Sequence, residues 1–325
     1  MIRSILAACA LTWSLSAVPA HAQTDPYPSK PIRLVVGYSA GGASDIMART
    51  VGKQLSERLG QPVVVENRAG AASNLAAEAV AKAPPDGYTL LLGTIALSIN
   101  PSLYKNLPFD SLKDFAPVAG VASTPFMLVA HPATNIRTVA ELVQAAKAAK
   151  QPLLYASAGA GSGANLFMEY LKSAAGIDLA HVPYRGTPPA LADVLGGRVP
   201  LTFDNIITTW PLVKEGKLNG LAVSTATRAK IAPDVPTLEE AGIKGFDATA
   251  WFGVFAPAGT PPNIVRRLNA AIVEGLKDRE LRETLLSQGS EPMSMSPEAF
   301  AAFFRNEVAR WQRVIADAHI RIEQQ

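Results

Sequence analysis

Two glycine- and serine-rich turns hold the residues of this chain that are best suited to chemistry. The first is GYSAGGASD, residues 37–45, and the second is AGAGSGAN, residues 158–165. Each turn follows a strand-like run and opens a helical pattern, so its backbone N–H groups lie at a helix N-terminus. Those amides lack intrahelical acceptors, and the helix dipole gives them additional positive partial charge. Both turns are therefore predicted to bind an anion.

Further polar residues follow other strand-like runs, which is where ligands bind in open α/β sheets. Asn67 and Thr94 end the first two of these runs, and Thr187 and Asp204 follow two later ones. Asn67 also suits a turn, and Thr187 also suits the N-cap of the next helix. Asp204 can cap a helix or face the ligand. In the second role it favours a ligand with a hydroxyl or ammonium donor and repels a second carboxylate.

Two arginines and two aromatic residues near these positions are interpreted first as structural. Arg68 and Arg185 suit the surface of the protein, and whether either contacts the ligand stays open. Trp251 and Phe252 lie in an apolar run and are predicted to pack in the core or in a hinge. Because no cluster of histidine and acidic residues has metal-ligand spacing, neither a metal nor a cofactor is expected.

One alternative function is a secreted serine hydrolase. The sequence GYSAG matches the G-x-S-x-G turn that carries the nucleophile of α/β-hydrolases, which would make Ser39 the nucleophile. However, this turn follows the first strand-like run, so no earlier strand and loop can supply the second oxyanion amide. His131, His181 and His319 also suit a catalytic triad poorly. A binding site without catalysis is therefore favoured, and the protein is not expected to be an enzyme.

A second motif imitates a dinucleotide-binding site. Residues 159–164 match G-x-G-x-x-A after a strand-like run. An acidic residue should end the next strand to bind the ribose, but Tyr184 and Arg185 occupy that position. The fingerprint also lacks a following nucleotide-binding half. A dinucleotide cofactor is therefore not expected.

Composition and the N-terminus indicate an exported protein with two domains. Residues 1–22 have a positive residue, an apolar stretch and an A-x-A site, as in a cleavable signal peptide for the periplasm. Cys9, the single cysteine, lies within that segment. The 30 basic and 27 acidic residues are dispersed, so no nucleic-acid partner is expected. The 325-residue length suits two domains, and the protein is expected to be a monomer.

Strand-like and helical patterns alternate along the chain, which predicts an α/β fold with mostly parallel sheets. No flexible linker separates the two halves. Strands are therefore predicted to cross between two lobes near Ser123–Phe126 and near Ala248–Phe255. The predicted domains are lobe 1, residues 23–124 with 249–325, and lobe 2, residues 125–248.

Long blocks of the sequence resemble the tripartite tricarboxylate transporter receptors, also called Bug proteins. They include YPSKPIRLVVGYSAGGASD, HVPYRGTPPAL and WFGVFAPAGTPP. The resemblance implies a two-lobed periplasmic binding protein of type II, a Venus-flytrap fold. It also implies a small carboxylate ligand that is delivered to membrane transporter subunits. By position, it implies this ligand-binding set: Tyr38, Ser39, Ala40, Gly41, Gly42, Asn67, Asn74, Thr94, Ser157, Ser162, Gly163, Asn165, Thr187 and Asp204.

One departure from the family concerns the first turn. It is commonly FPPGG-like, whereas this chain has YSAGG, in which Tyr38 and Ser39 add hydrogen-bonding groups. Dicarboxylates, aromatic acids and acidic amino acids all suit amide-lined sites, so the identity of the carboxylate stays open. A binding protein that feeds a sensor kinase instead of a transporter also stays open.

Overall fold

The computed structural model of the protein describes residues 27–322. The predicted signal peptide, residues 1–22, lies outside the described residues. The chain first forms seven elements: β1 (Ile32–Val36), α1 (Ala43–Leu59), β2 (Val63–Asn67), α2 (Asn74–Ala81), β3 (Thr89–Thr94), α3 (Ala96–Leu103) and β4 (Phe115–Thr124). Nine more follow: β5 (Phe126–Ala130), α4 (Val139–Ala148), β6 (Leu153–Ser157), α5 (Gly163–Ala175), β7 (Leu179–Pro183), α6 (Thr187–Leu195), β8 (Leu201–Asn205), α7 (Ile206–Lys214) and β9 (Asn219–Val223). The last elements are β10 (Ala250–Pro257), α8 (Pro262–Lys277), α9 (Arg279–Ser287), β11 (Glu291–Pro292) and α10 (Pro297–Asp317).

The strands form two sheets, one for each lobe. The first sheet has the order β11-β4-β10-β3-β1-β2, and the second has the order β7-β6-β8-β5-β9. The chain passes from the first sheet to the second at Pro125 and returns between β9 and β10. The predicted two-lobed α/β fold with a hinge of crossing strands is confirmed. The prediction of mostly parallel sheets is wrong: both sheets are mixed, because β10 pairs antiparallel with β3 and β4, and β5 pairs antiparallel with β8 and β9.

Helix α1 shows how the sequence builds these layers. Its apolar residues Met47, Val51, Leu55 and Leu59 recur every four positions, so they share one face. That face is buried in a core with residues of β1 and α8. The helix ends at Gly60, whose φ of 69° is accessible to glycine at little cost. The start of α1 is thereby held at the carboxyl end of β1.

Aromatic packing connects the two lobes beside the hinge. Trp311 of α10 stacks on Phe167 of α5, with ring centroids 5.5 Å apart. Phe167 also contacts Phe126, the first residue of β5. The C-terminal helix therefore packs on the second lobe, although its other neighbours include α3 and β4 of the first sheet.

One local prediction differs from the structure. Thr187 is the first residue of α6 and Gly186 is its N-cap, so the predicted capping role of Thr187 is wrong. Before α2, residues 71–73 form a turn with positive φ angles, and the helix begins at Asn74. Helices α3 and α7 each contain a proline, Pro101 and Pro211. Between residues 27 and 322, no helix has the length and apolar character needed to cross a bilayer.

Candidate functional site

The two predicted anion-binding turns have the same backbone geometry. We call residues 39–45 the first nest and residues 159–165 the second nest. Gly41 has a φ of 83° and Gly161 a φ of 84°. The Gly41 amide donates to Asp45 Oδ2 at 2.9 Å, and the Gly161 amide donates to Asn165 Oδ1 at 3.0 Å. In both nests a side chain of the first helical turn therefore fixes the loop before it.

The helix that follows each nest presents amides for a ligand. Helix α1 has Gly42 as its N-cap, and no side chain caps its amides. Helix α5 has Ser162 as its N-cap, and the serine Oγ accepts the Asn165 amide at 3.3 Å. The cap leaves the amides of Gly163 and Ala164 without an intrahelical acceptor. Both helices therefore begin with donors suited to an anion, and the first is the more open of the two.

A cavity of about 50 Å³ lies between the two nests. One water needs about 10–15 Å³ by this measure, so the cavity suits a molecule of a few heavy atoms. A carbon added to Gly42 would lie 3.6 Å from Thr187 Cβ, and one added to Gly163 would lie 3.0 Å from Ile95 Cγ2. Residues of both lobes thus enclose it. The predicted ligand-binding residues that line the cavity are Tyr38, Gly42, Thr94, Ser162, Gly163, Thr187 and Asp204.

Asp204 is the charged side chain of this cavity wall, and it is only 3% exposed. Its Oδ1 accepts the Asn205 amide at 2.6 Å, whereas Oδ2 has no partner. Burial raises the pKa of Asp204 to about 6, and the Asn205 amide and the neighbouring Thr187 hydroxyl oppose that rise. Burial also raises the pKa of Tyr38, and a hydrogen bond with Thr94 opposes that rise. The cavity wall therefore contains one carboxyl group together with neutral hydroxyl and amide groups.

Trp251 also lines the cavity, although sequence reasoning placed it in the core or hinge. It is 1% exposed and contacts the rings of Phe300 and Phe304, so core packing describes most of its surface. Its Nε1 is buried without a hydrogen-bond partner. The sequence signal that could have identified it is a polar aromatic group at the start of the returning strand β10.

Seven predicted site residues lie outside the cavity wall. Ser39 contacts the opposite lobe, since its Oγ donates to the carbonyl of Arg185 at 2.9 Å. Ala40 is the next residue of the same nest. On the other side, Tyr104 Oη donates to the carbonyl of Ala160 at 2.6 Å. These two hydrogen bonds, which we call the latches, cross between the lobes.

The other predicted residues support the nests. Asn67 Nδ2 donates to the Tyr38 carbonyl at 3.0 Å, and Asn74 Oδ1 accepts from Asn100 Nδ2 at 2.8 Å. Gly41 holds the first nest through its amide, as described above. Ser157 and Asn165 belong to the second lobe and contact its core. These residues hold the loops around the cavity in place, and they do not line its wall.

A buried polar network supports the second nest from behind. Asn165 Nδ2 donates to Tyr155 Oη at 2.7 Å, and Tyr155 Oη donates to Glu169 Oε1. Ser157 Oγ and His181 Nε2 are 2.6 Å apart, and the imidazole stacks on Tyr155. Burial, with a smaller contribution from Lys172, lowers the pKa of His181 to about 4. The imidazole is therefore neutral at pH 7.

The arrangement does not resemble a hydrolase site. Ser39 donates its proton to a carbonyl oxygen, which cannot act as a general base. His181 contacts a different serine, Ser157, which is fully buried. Among residues 27–322, no group of three histidine, cysteine or acidic side chains could hold a metal ion.

Comparisons with known proteins agree on one family. The sequence profile of the tripartite tricarboxylate transporter family receptors matches residues 47–320. Protein BugT of Bordetella pertussis is 34% identical over 321 residues, with 98% of each chain covered. The R. palustris protein Rpa4515, solved with adipate, is 36% identical with a TM-score of 0.88, covering 91% of this chain and 99% of that one. MatC from Rhodopseudomonas palustris, solved with bound malate, is 34% identical with a TM-score of 0.85, covering 89% and 100%.

Proposed function

The chain belongs to the tripartite tricarboxylate transporter receptor family, and we propose that it is a non-catalytic periplasmic protein that captures a small carboxylate between its lobes. The observation that carries this proposal is the cavity at which two helix N-termini from different lobes meet. Adipate and malate in the related structures support a carboxylate as the ligand class. The ligand set implied by the sequence remains a proposal for this chain.

Closure of the cleft explains how neutral groups can bind an anion well. In an open cleft, each nest offers a few amides to water, and a hydrogen bond there contributes only about 0.5–1.5 kcal/mol. Closure removes water and lowers the local dielectric constant, so that each contact with the anion becomes stronger. A ligand that contacts both nests then favours the closed conformation over the open one.

A thermal-shift screen over small carboxylic acids tests the ligand class. A ligand at 100 times its Kd should raise the free energy of unfolding by about 2.7 kcal/mol. Neutral sugars and organic cations of similar size serve as controls. If only the controls stabilise the protein, the proposed ligand class is wrong.

Delivery to membrane transporter subunits is the second part of the proposal. Family membership supports it, and a receptor that reports to a sensor kinase is the competing function. A deletion strain should lose uptake of the radiolabelled ligand found in the screen. Normal uptake combined with a lost transcriptional response to that ligand would favour the sensor.

The serine hydrolase is the alternative from another class. Purified protein should show no ester hydrolysis above that of the Ser39→Ala variant. Because Ser39 donates to the Arg185 carbonyl, we expect its loss to weaken ligand binding only. Hydrolysis that disappears in Ser39→Ala would favour the enzyme.

A further inference from the structure

Two buried polar atoms near the cavity lack the partners that buried polar atoms usually have. One is an acceptor, Asp204 Oδ2, and the other is a donor, the Nε1–H of Trp251. Both residues belong to the cavity wall, one from the second lobe and one from the returning strand β10. A ligand in the cavity can therefore supply a partner for each.

The charge around Asp204 limits what that partner can be. The cavity wall includes no lysine, arginine or histidine. Its other polar side chains are neutral: Tyr38, Ser44, Thr94, Ser162, Thr187, Asn205 and Trp251. An ionised Asp204 without a counterion repels a carboxylate placed against it, whereas a hydroxyl or ammonium group would satisfy Oδ2.

The structure leads us to infer that the ligand is a short carboxylate that also carries a hydroxyl or ammonium group. Asp204 Oδ2 accepts a hydrogen bond from that group and selects ligands that have it. The Trp251 indole N–H donates to an acceptor oxygen of the same ligand. This inference rests on the proposed function, and it names the feature that distinguishes this protein's ligand from carboxylates in general.

The size of the cavity supports a short ligand with the two groups near each other. About 50 Å³ is the room of three to five water molecules. A hydroxyl or ammonium group next to the carboxylate adds polarity with little volume. Lactate and alanine have this form, and propanoate is their counterpart without the donor. Malate, aspartate and succinate form the matched longer series, which shows how much ligand the site admits.

Matched ligands test the selection without any change to the protein. Titration calorimetry at pH 7.5 compares propanoate with L-lactate and L-alanine, and succinate with L-malate and L-aspartate. In at least one series, a donor-bearing member should bind about 10- to 100-fold more tightly, because the donor-free acid leaves a buried charged acceptor unsatisfied. The hydroxy and amino members show which of the two donors is preferred.

Two variants assign the effect to its residues. Asp204→Asn should reduce the ratio of affinities between donor-bearing and donor-free acids to less than about 3-fold, because the asparagine amide can also donate to a carboxylate. Trp251→Phe should weaken the binding of donor-bearing and donor-free acids equally, by about 3- to 10-fold, and leave the ratio of their affinities unchanged. Asp178→Asn removes an exposed carboxylate of the same lobe and should change neither quantity.

The outcomes separate this inference from the proposed function. Equal binding of donor-free and donor-bearing acids by the unmodified protein would overturn the inference and leave carboxylate capture intact. A ratio that persists in Asp204→Asn would overturn the role of Asp204. If no member of either series binds, the inference fails, and only the wider carboxylate screen then decides the proposed function. If Asp204→Asn does not fold, the ratio in the unmodified protein remains decisive.

Discussion

The first and second nests have nearly identical backbones, but the first contains a charged side chain and the second a neutral one. Each has a glycine with φ near 84°, and the glycine amide donates to the side chain four residues later. That side chain is an aspartate in the first nest, Asp45, and an amide in the second, Asn165. Asp45 pairs with Arg49 at 2.9 Å, whereas Asn165 joins the neutral Tyr155.

The difference shows that similar loops need not play equal parts in binding. Burial would raise the pKa of Asp45, but hydrogen bonds from Arg49 and from the Gly41 amide outweigh burial and lower it. The first nest therefore already has an ionised carboxylate at its helix start. The second nest has none, so we expect the ligand carboxylate to lie nearer to α5 than to α1. The following predictions test this asymmetry.

The largest effect should be on stability, where Asp204 and Asp45 act in opposite directions. The pKa of Asp204 is about 6 in the folded protein and 3.8 ordinarily. Between these two pH values Asp204 is therefore protonated in the folded protein and ionised in the unfolded chain. Stability from this group therefore falls as the pH rises from about 4 to 6, by about 3 kcal/mol in total. Asp204→Asn should raise the free energy of unfolding in urea by that amount at pH 7.5 and leave it unchanged below pH 4.

Asp45→Asn is the matched control, with the opposite sign. The lowered pKa of Asp45 means that its carboxylate stabilises the folded protein above the unfolded pKa, and that this contribution is lost as the pH falls. The substitution should lower the free energy of unfolding at pH 7.5 by roughly 1–2 kcal/mol. Changes of the same sign in both variants would contradict the assigned electrostatics.

Paired glycine substitutions separate backbone strain from lobe closure. Gly41→Ala and Gly161→Ala impose the same strain, about 1–2 kcal/mol each. A carbon on Gly161 would lie 2.7 Å from Asn100 Oδ1 and 2.8 Å from Tyr104 Cε2, whereas one on Gly41 would lie 3.7 Å from Pro188 Cγ. Gly161→Ala should therefore weaken binding about 100-fold, or about 2.7 kcal/mol, and Gly41→Ala less than about 5-fold. Calorimetric titration with the best carboxylate measures both, and similar losses would exclude closure as the cause.

Exchanging the acid and the amide between the nests tests where the ligand charge lies. Asn165→Asp places a carboxylate in the neutral nest, and like charges there should repel by about 2 kcal/mol, a loss of about 30-fold in affinity. Asp45→Asn should improve affinity by no more than about 3-fold, since Arg49 already balances that charge. The same titration provides the measurement. A larger response to Asp45→Asn would place the ligand carboxylate at the first nest.

The smallest effects should come from the latches. Ser39→Ala and Tyr104→Phe each remove one neutral hydrogen bond between the lobes, so each should weaken binding about 3- to 5-fold. Both should act mainly on the dissociation rate, because opening of the cleft separates the two lobes that each latch joins. Stopped-flow fluorescence of the tryptophans would measure this rate. A changed association rate with unchanged dissociation would contradict the latch role.

Local sequence patterns determined much of the fold. The four-residue spacing of Met47, Val51 and Leu55 is typical of an amphipathic helix such as α1, and Gly60 is typical of a helix end. Helices α3 and α7 are harder to predict, because Pro101 and Pro211 lie inside helices that tertiary contacts maintain. Short-range patterns therefore predict a helix or strand well when the residues within that element favour its backbone conformation.

The site was less predictable because it depends on distances between lobes. The nests could be identified from glycine and serine spacing, since backbone conformation follows from those residues. Which residues form the cavity wall depends on how the lobes meet: Thr187 lies on it, whereas Ser157 contacts His181. Trp251 was missed because an apolar run does not indicate that one polar atom lacks a partner.

A crystal structure with the most stabilising small carboxylate would show whether the two helix starts bind one anion together. We predict one ligand in the cavity between the lobes, with carboxylate oxygens 2.7–3.2 Å from first-turn amides of α5, a normal N–H···O range, and further contacts to the start of α1. A ligand bound by one lobe alone, or in a groove away from both helix starts, would contradict it.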